Sequence, residues 1–124
     1  MITGQGSDQD DNVREIAGIK VLVSRLDGVD AKSMRDAVDR AKDKLQNAIV
    51  VFASVDDGKV RLAAGVTKNN IDKIKAGDLI KPVAEQVGGK GGGRPDFAQA
   101  GGNDPSKLDS ALKSVPGWIA DKLS

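Results

Sequence analysis

Apolar positions along this chain change their period several times, and each change marks a predicted element. After a polar, acidic lead over residues 1–12, read as a disordered tail or cloning remnant, residues 13–17 and 19–26 alternate with the period of strands. Ile19, Val21 and Val23 fall on one face, Lys20, Leu22 and Ser24 on the other, and Gly18 marks the pivot of an edge hairpin. From Asp30 the period lengthens to that of a helix, with Met34, Val38, Ala41 and Leu45 forming one stripe over residues 31–45. Asp30 stands where a carboxylate can accept from the amides of a first helical turn. Residues 48–55 are an unbroken apolar, β-branched run, the pattern of a central strand covered on both faces. Asp56-Asp57-Gly58-Lys59 supplies a hairpin turn, and residues 60–66 return as the partner strand. The Asp56–Asp57 pair belongs to that turn rather than to a metal site.

Further on, residues 67–70 break the strand and 71–75 predict a short helical turn. Ala76-Gly77-Asp78 caps a helix running to residue 87, with Pro82 tolerated at the end of its first turn. Asp104 caps another helix beginning at Pro105, striped by Leu108, Leu112 and Val115 and interrupted at Pro116-Gly117. A terminal turn with Trp118, Ile119 and Leu123 packs on the core. Between the two helices, residues 87–102 read VGGKGGGRPDFAQAGG, in which seven of sixteen residues are glycine. Such a run loses backbone entropy at every ordered position, so it is predicted to be a loop slung between the helices with a ligand-related use. The sum is a single small α/β domain over residues 13–124, a mixed sheet of about four strands packed with helices.

Composition narrows the chemistry. The 124 residues contain no cysteine and no histidine. That removes disulfides, thiol nucleophiles, imidazole bases and the common zinc sets. No acidic cluster at ligand spacing replaces them, so the chain is expected to hold no catalytic residue, no metal and no cofactor of its own. No apolar run nears the roughly 20 residues that cross a bilayer, and no secretory pattern opens the chain, so no membrane partner is expected. Aromatic residues make up 2% of the chain, Phe52, Phe97 and Trp118, which disfavours single-strand binding by serial base stacking and favours a folded target read by its backbone.

Net charge is only +1, but residues 59–94 carry eight lysines and arginines against three acids. A basic segment beside an acidic remainder suits a phosphate-binding face. The mixed-sign residues of the first helix, Arg35 and Arg40 among Asp36 and Asp39, read instead as a solvated surface. Candidate binding residues are the backbone of Gly88, Gly89, Gly91, Gly92 and Gly93, the charges of Lys90 and Arg94, and the amide of Gln99. Lys59, Arg61, Lys73 and Lys75 extend the set. The glycine pattern matches neither the P-loop nor the dinucleotide fingerprint.

GGKGGGRPDFAQAGG, preceded by the VVFAS and GKVRLAAGV strands and followed by WIADKL, closely resembles the C-terminal domain of bacterial alanyl-tRNA synthetases over about residues 13–123. That domain is related to the substrate-binding module (DHHA1) of the DHH phosphoesterases. In those modules a histidine typically follows the glycines where this chain has Arg94, which favours the synthetase. The resemblance implies a non-catalytic domain that contacts the outer corner of alanine tRNA and assists the aminoacylation and editing centres of preceding domains. It implies a cytoplasmic parent enzyme, an ATP-dependent alanine–tRNA ligase using magnesium and zinc. The alternatives are the nucleic-acid-binding module of a DHH-family phosphoesterase, and a homodimerisation module pairing through the edge strand at residues 13–17.

Overall fold

The computed structural model describes residues 13–16, 18–26 and 28–123. The expectations for residues 1–12, Ala17 and Asp27 lie outside the described residues. The chain forms strands β1 (Val13–Ile16) and β2 (Ile19–Arg25), helix α1 (Ala31–Leu45), strands β3 (Ala48–Asp56) and β4 (Lys59–Val66), helix α2 (Ala76–Gln86), strands β5 (Lys90–Gly93) and β6 (Phe97–Gly102), and helix α3 (Leu108–Leu123). One mixed sheet runs in the order β1-β2-β3-β4-β6-β5. β2 and β3 are parallel, joined through α1, and every other pair is antiparallel.

The apolar run of β3 occupies the middle of the sheet as its composition requires. Ile49, Val51 and Ala53 face a core shared with α2 and α3, while Ala48, Val50 and Phe52 face Met34, Val38 and Ala41 of α1. Helices therefore cover both faces, two on one side and one on the other. The β3–β4 turn has the positive backbone angles expected at its centre, φ 54° at Asp57 and 75° at Gly58. Asp30 caps α1, its carboxylate accepting from the Ser33 amide at 2.8 Å. α1 sits so close to β4 that a Cβ at Gly65 would lie 2.4 Å from Cγ1 of Val38.

Five features differ from the sequence expectations, the first being that Asp104 makes no side-chain cap bond and Pro105–Lys107 is a 3-10 turn ahead of α3. The sheet has six strands, not four, because residues 87–102 are not a loop: they fold into the β5–β6 hairpin, which extends the sheet beyond β4. The helical turn expected at 71–75 begins earlier, as a 3-10 turn over Lys68–Asn70. Thr67 and Asn70 fix it there, since both are buried: the Thr67 hydroxyl donates to the Ala48 carbonyl, and the Asn70 amide donates to Thr67 and to Asn47. Asp78 does not cap α2. Lys75 holds the cap position without a side-chain bond, and Asp78 sits in the first turn, where its charge still complements the helix dipole. Finally, α3 continues through Pro116. The missing amide removes one helical bond, but Ala111, Val115 and Ile119 lie buried on one stripe and hold both halves to the core.

The glycines explain why the hairpin can lie where it does. A Cβ at Gly89 would meet the Gly101 carbonyl oxygen at 1.6 Å, and one at Gly91 would meet the Ala100 Cβ at 2.1 Å. A Cβ at Gly92 meets nothing within 4 Å.

Two predictions follow from these contacts. Gly89→Ala should lower stability by at least the ~1–3 kcal/mol typical of overpacking, because backbone cannot yield as a side chain does. Gly92→Ala should stay within about 0.5 kcal/mol of the parent in the same thermal melt. At Asp30, the hydrogen bonds from Ser33 lower the carboxyl from its ordinary value against an opposing desolvation, with the charges of Arg61 and Lys32 adding lesser contributions. A depressed folded pKa gives stability that is present above the unfolded value and lost as pH falls through the folded one. Melting of Asp30→Asn should accordingly show less loss on acidification than the parent.

Candidate nucleic-acid interface

α1 is one helix on a face six strands wide. It packs on β3 and β4, and leaves the same face of β6 and β5 uncovered. Alternation and register decide which side chains stand there. Ala98 points into the core under α2 and α3, so Phe97, Gln99 and Gly101 point to the α1 side. Gln99 pairs with Gly92 and with Ala63, and Gly101 pairs with Lys90 and Arg61. Lys90, Gly92, Gln99 and Arg61 consequently share one face, and Lys59, two residues before Arg61, shares it by parity.

Between this face and α1 lies a cleft of about 310 Å³, lined by Arg35, Asp39 and Lys42 from the helix and by Gly92, Gly93, Arg94, Asp96, Phe97 and Gln99 from the hairpin. A second cleft, about 320 Å³, adjoins it across Gln99 and Ala100 and is lined by Ala31, Met34, Leu62 and Arg61. The guanidinium carbon of Arg35 stands 5.3 Å from the centroid of the Phe97 ring, within reach of a cation–π attraction. The Lys42 ammonium donates to the Asp96 carbonyl at 3.1 Å. Arg94 is exposed at the hairpin turn, and three backbone bonds hold that turn still: Arg94 N–H to Phe97, Val66 N–H to Asp96 and Ala76 N–H to Pro95, all 2.8–3.0 Å.

The predicted binding residues thus divide. Gly92, Gly93, Arg94 and Gln99 meet in the first cleft, with Arg61 in the second and Lys90 and Lys59 on the same face. Gly88, Gly89 and Gly91 serve packing instead: the amides of Gly88 and Gly89 donate to Glu85 and Ala84 at the end of α2, and Gly91 pairs with Ala100. The cleft therefore offers side-chain donors rather than a nest of bare amides. Lys73 and Lys75 lie elsewhere, in a separate depression beside α3.

Arg35 and Lys42 are the residues that sequence reasoning assigned to a solvated face and the structure moves into the cleft. A signal was present. Arg35, Asp39 and Lys42 recur at helical spacing immediately beside the buried stripe of Met34, Val38 and Ala41, so they border whatever that stripe covers. Arg40 belongs to the opposite, exposed side.

The described residues thus form a mixed α/β domain whose outer hairpin is built of glycine and whose one open sheet face borders a cleft of mixed charge. The DHHA1 domain family model matches residues 18–121, and the chain belongs to that family. It is 50% identical over 123 residues to the alanine–tRNA ligase of Albidiferax ferrireducens, covering 99% of this chain and 14% of that enzyme. The chain therefore spans about one-seventh of the curated relatives it matches. Among solved structures, the C-Ala domain from Aquifex aeolicus alanyl-tRNA synthetase superposes with a TM-score of 0.81 at 27% identity, over 87% of this chain and 97% of that one. A DHH-domain member of the s1p family of ribosomal proteins has the same fold, with a TM-score of 0.59 at 12% identity.

Proposed function

We propose that this chain is the C-terminal tRNA-binding domain of an alanine–tRNA ligase and that the cleft between α1 and the β5–β6 hairpin grips the RNA. The observation that carries the reading is the near-complete coverage of the Aquifex C-Ala domain, joined to half-identity with a ligase across the whole chain. The second reading, a binding module of a DHH-family phosphoesterase, rests on a likeness at 12% identity, which speaks for fold alone. In the proposed parent, aminoacylation with ATP and magnesium and editing at a zinc centre belong to preceding domains. The domain's part is to hold the tRNA for them in the cytoplasm, and no described helix is long and apolar enough to cross a membrane.

Within the cleft each group has a task its chemistry suits. Arg94 stands exposed at a turn pinned by three backbone bonds, so its five donors can reach a phosphate or a base edge from a fixed origin. Arg35, with its guanidinium over the Phe97 ring, lines the same space. Gln99 adds a neutral donor and acceptor beside Gly92, where the absence of a side chain lets the ligand backbone come close to the sheet.

Folded tRNA should outcompete an unstructured strand of equal length in a gel-shift titration, and binding should fall steeply with salt as phosphate contacts release counterions. Competition as strong by the unstructured strand would favour the phosphoesterase reading. Arg94→Ala and Arg35→Ala should each weaken tRNA binding at least about tenfold, since a directed charge-assisted bond is worth ~1.5–3 kcal/mol. Arg40→Ala removes the same charge from a solvated surface and should cost under about 1 kcal/mol. Gly92→Val should leave the melting temperature nearly unchanged while filling the cleft and weakening binding. Three arginine variants within twofold of one another would place the contact surface elsewhere.

A further inference from the structure

Trp118 is the sole tryptophan of the chain; it packs against the core as expected, but part of its ring is left outside. Phe52 is fully buried and Phe97 lies under Arg35, so Trp118 is the one remaining aromatic ring. It is only partly buried, at the border between two depressions on the α2–α3 side. On one side is an apolar groove of about 260 Å³ between α2 and α3, floored by Leu79, Val83 and Val115 and edged by Gln86 and Ser114. On the other is a polar depression of about 220 Å³ that contains Lys73, Lys75 and Lys122 against Asp72 and Asp78. The Lys122 ammonium stands 5.3 Å from the ring centroid.

We infer that Trp118 and its lysines form a second RNA contact, in which an unpaired base of the folded RNA stacks on the indole and lies along the apolar groove while its phosphate meets Lys73, Lys75 and Lys122. This rests on the tRNA-binding reading and extends it to a different face. The two faces are joined at one end of the domain. Ala76 donates to Pro95 at 2.8 Å, so Lys75, its chain neighbour, lies next to the turn that carries Arg94. An apolar slot bounded by a ring, with ammonium groups at one end and the amide and hydroxyl of Gln86 and Ser114 at the other, is complementary to a nucleotide: flat base, polar edge, anionic phosphate. Gln86 already donates to Ser114 at 3.1 Å, which orients its amide along the groove.

Because the chain has one tryptophan, its emission reports this site directly. Titrating alanine tRNA into the 124-residue chain should quench Trp118 along the same isotherm as the gel shift. Trp118→Leu should weaken binding roughly five- to 150-fold, the range found when a stacking ring is removed. Trp118→Phe, which keeps a ring on the core, should restore most of the affinity, whereas a merely structural role would make both variants melt early and bind in proportion to their folded fraction. Lys73→Ala with Lys75→Ala should reduce the salt slope. If tRNA binds but the emission does not change and Trp118→Leu binds as the parent does, this inference fails and the cleft reading stands. If no tRNA binds, both fail. An emission change that follows protein concentration without RNA overturns it in favour of contact between copies of the chain.

Discussion

The backbone of the β5–β6 hairpin lies against itself and against α2 at distances that leave no room for side chains, and this close approach sets the shape of everything around it. A Cβ at Gly102 would meet the Val87 carbonyl at 2.4 Å, and one at Gly77 would meet the Gly93 carbonyl at 3.1 Å. Only with bare backbone on both partners can α2 settle over the two outer strands and bury Ala98 with Ile80, Val83 and Ala84. The entropy given up by the glycine run is offset by that burial and by the ladder with β4. Without it the sheet would end at β4, on which α1 packs, and the cleft between α1 and the hairpin would not exist. The open surface is a result of layer arithmetic: two helices serve one face of six strands, and one helix serves the other.

Where side chains alone specify the backbone, the sequence was legible. The unbroken run of β3, the Asp-Gly turn, the Asp30 cap and the Met34–Val38–Ala41 stripe all lie where pattern places them, because burial and local hydrogen bonding act in the same direction. The glycine stretch was misread for the complementary reason. Glycine has low strand propensity and no periodicity to read, so nothing local marks β5, and its pairing is decided by tertiary contacts of α2. Pro116 was misread because local propensity was weighed without the buried stripe on either side of it. The cleft was half legible. Arg94 and Gln99 stood out by their position after the glycines, but Arg35 is brought to Phe97, sixty-two positions away in the chain, only by the fold.

The same close packing changes what kind of recognition this family member can offer. Glycine-rich segments that bind phosphate do so when their amides are free and convergent. Here the amides of Gly88, Gly89 and Arg94 are bonded within the protein, and between them β5 is an edge strand that pairs on one side only, with β6. In the proposed function, recognition rests on side chains whose origins are rigid: Arg94 on a pinned turn, Arg35 beside a ring, Gln99 in a paired strand. Rigid origins reduce the rotamer freedom lost on binding, which lets a small number of contacts contribute more of their gross strength.

Net charge then fixes how such a surface must work. At +1 the chain has little long-range pull on a polyanion, so affinity cannot come from diffuse attraction and must come from a few directed bonds placed together. The structure meets that condition by segregation. On α1, Arg35 and Lys42 border the cleft together with Asp39, so that with Arg94 three cations there stand against two carboxylates, Asp39 and Asp96, while Asp36, Arg40 and Asp43 remain on the exposed side. Under the proposed function, a domain built this way presents an anion with one favourable face, which would orient the ligand as well as hold it. Orientation is what an appended domain must supply if the chemistry is done elsewhere in the chain.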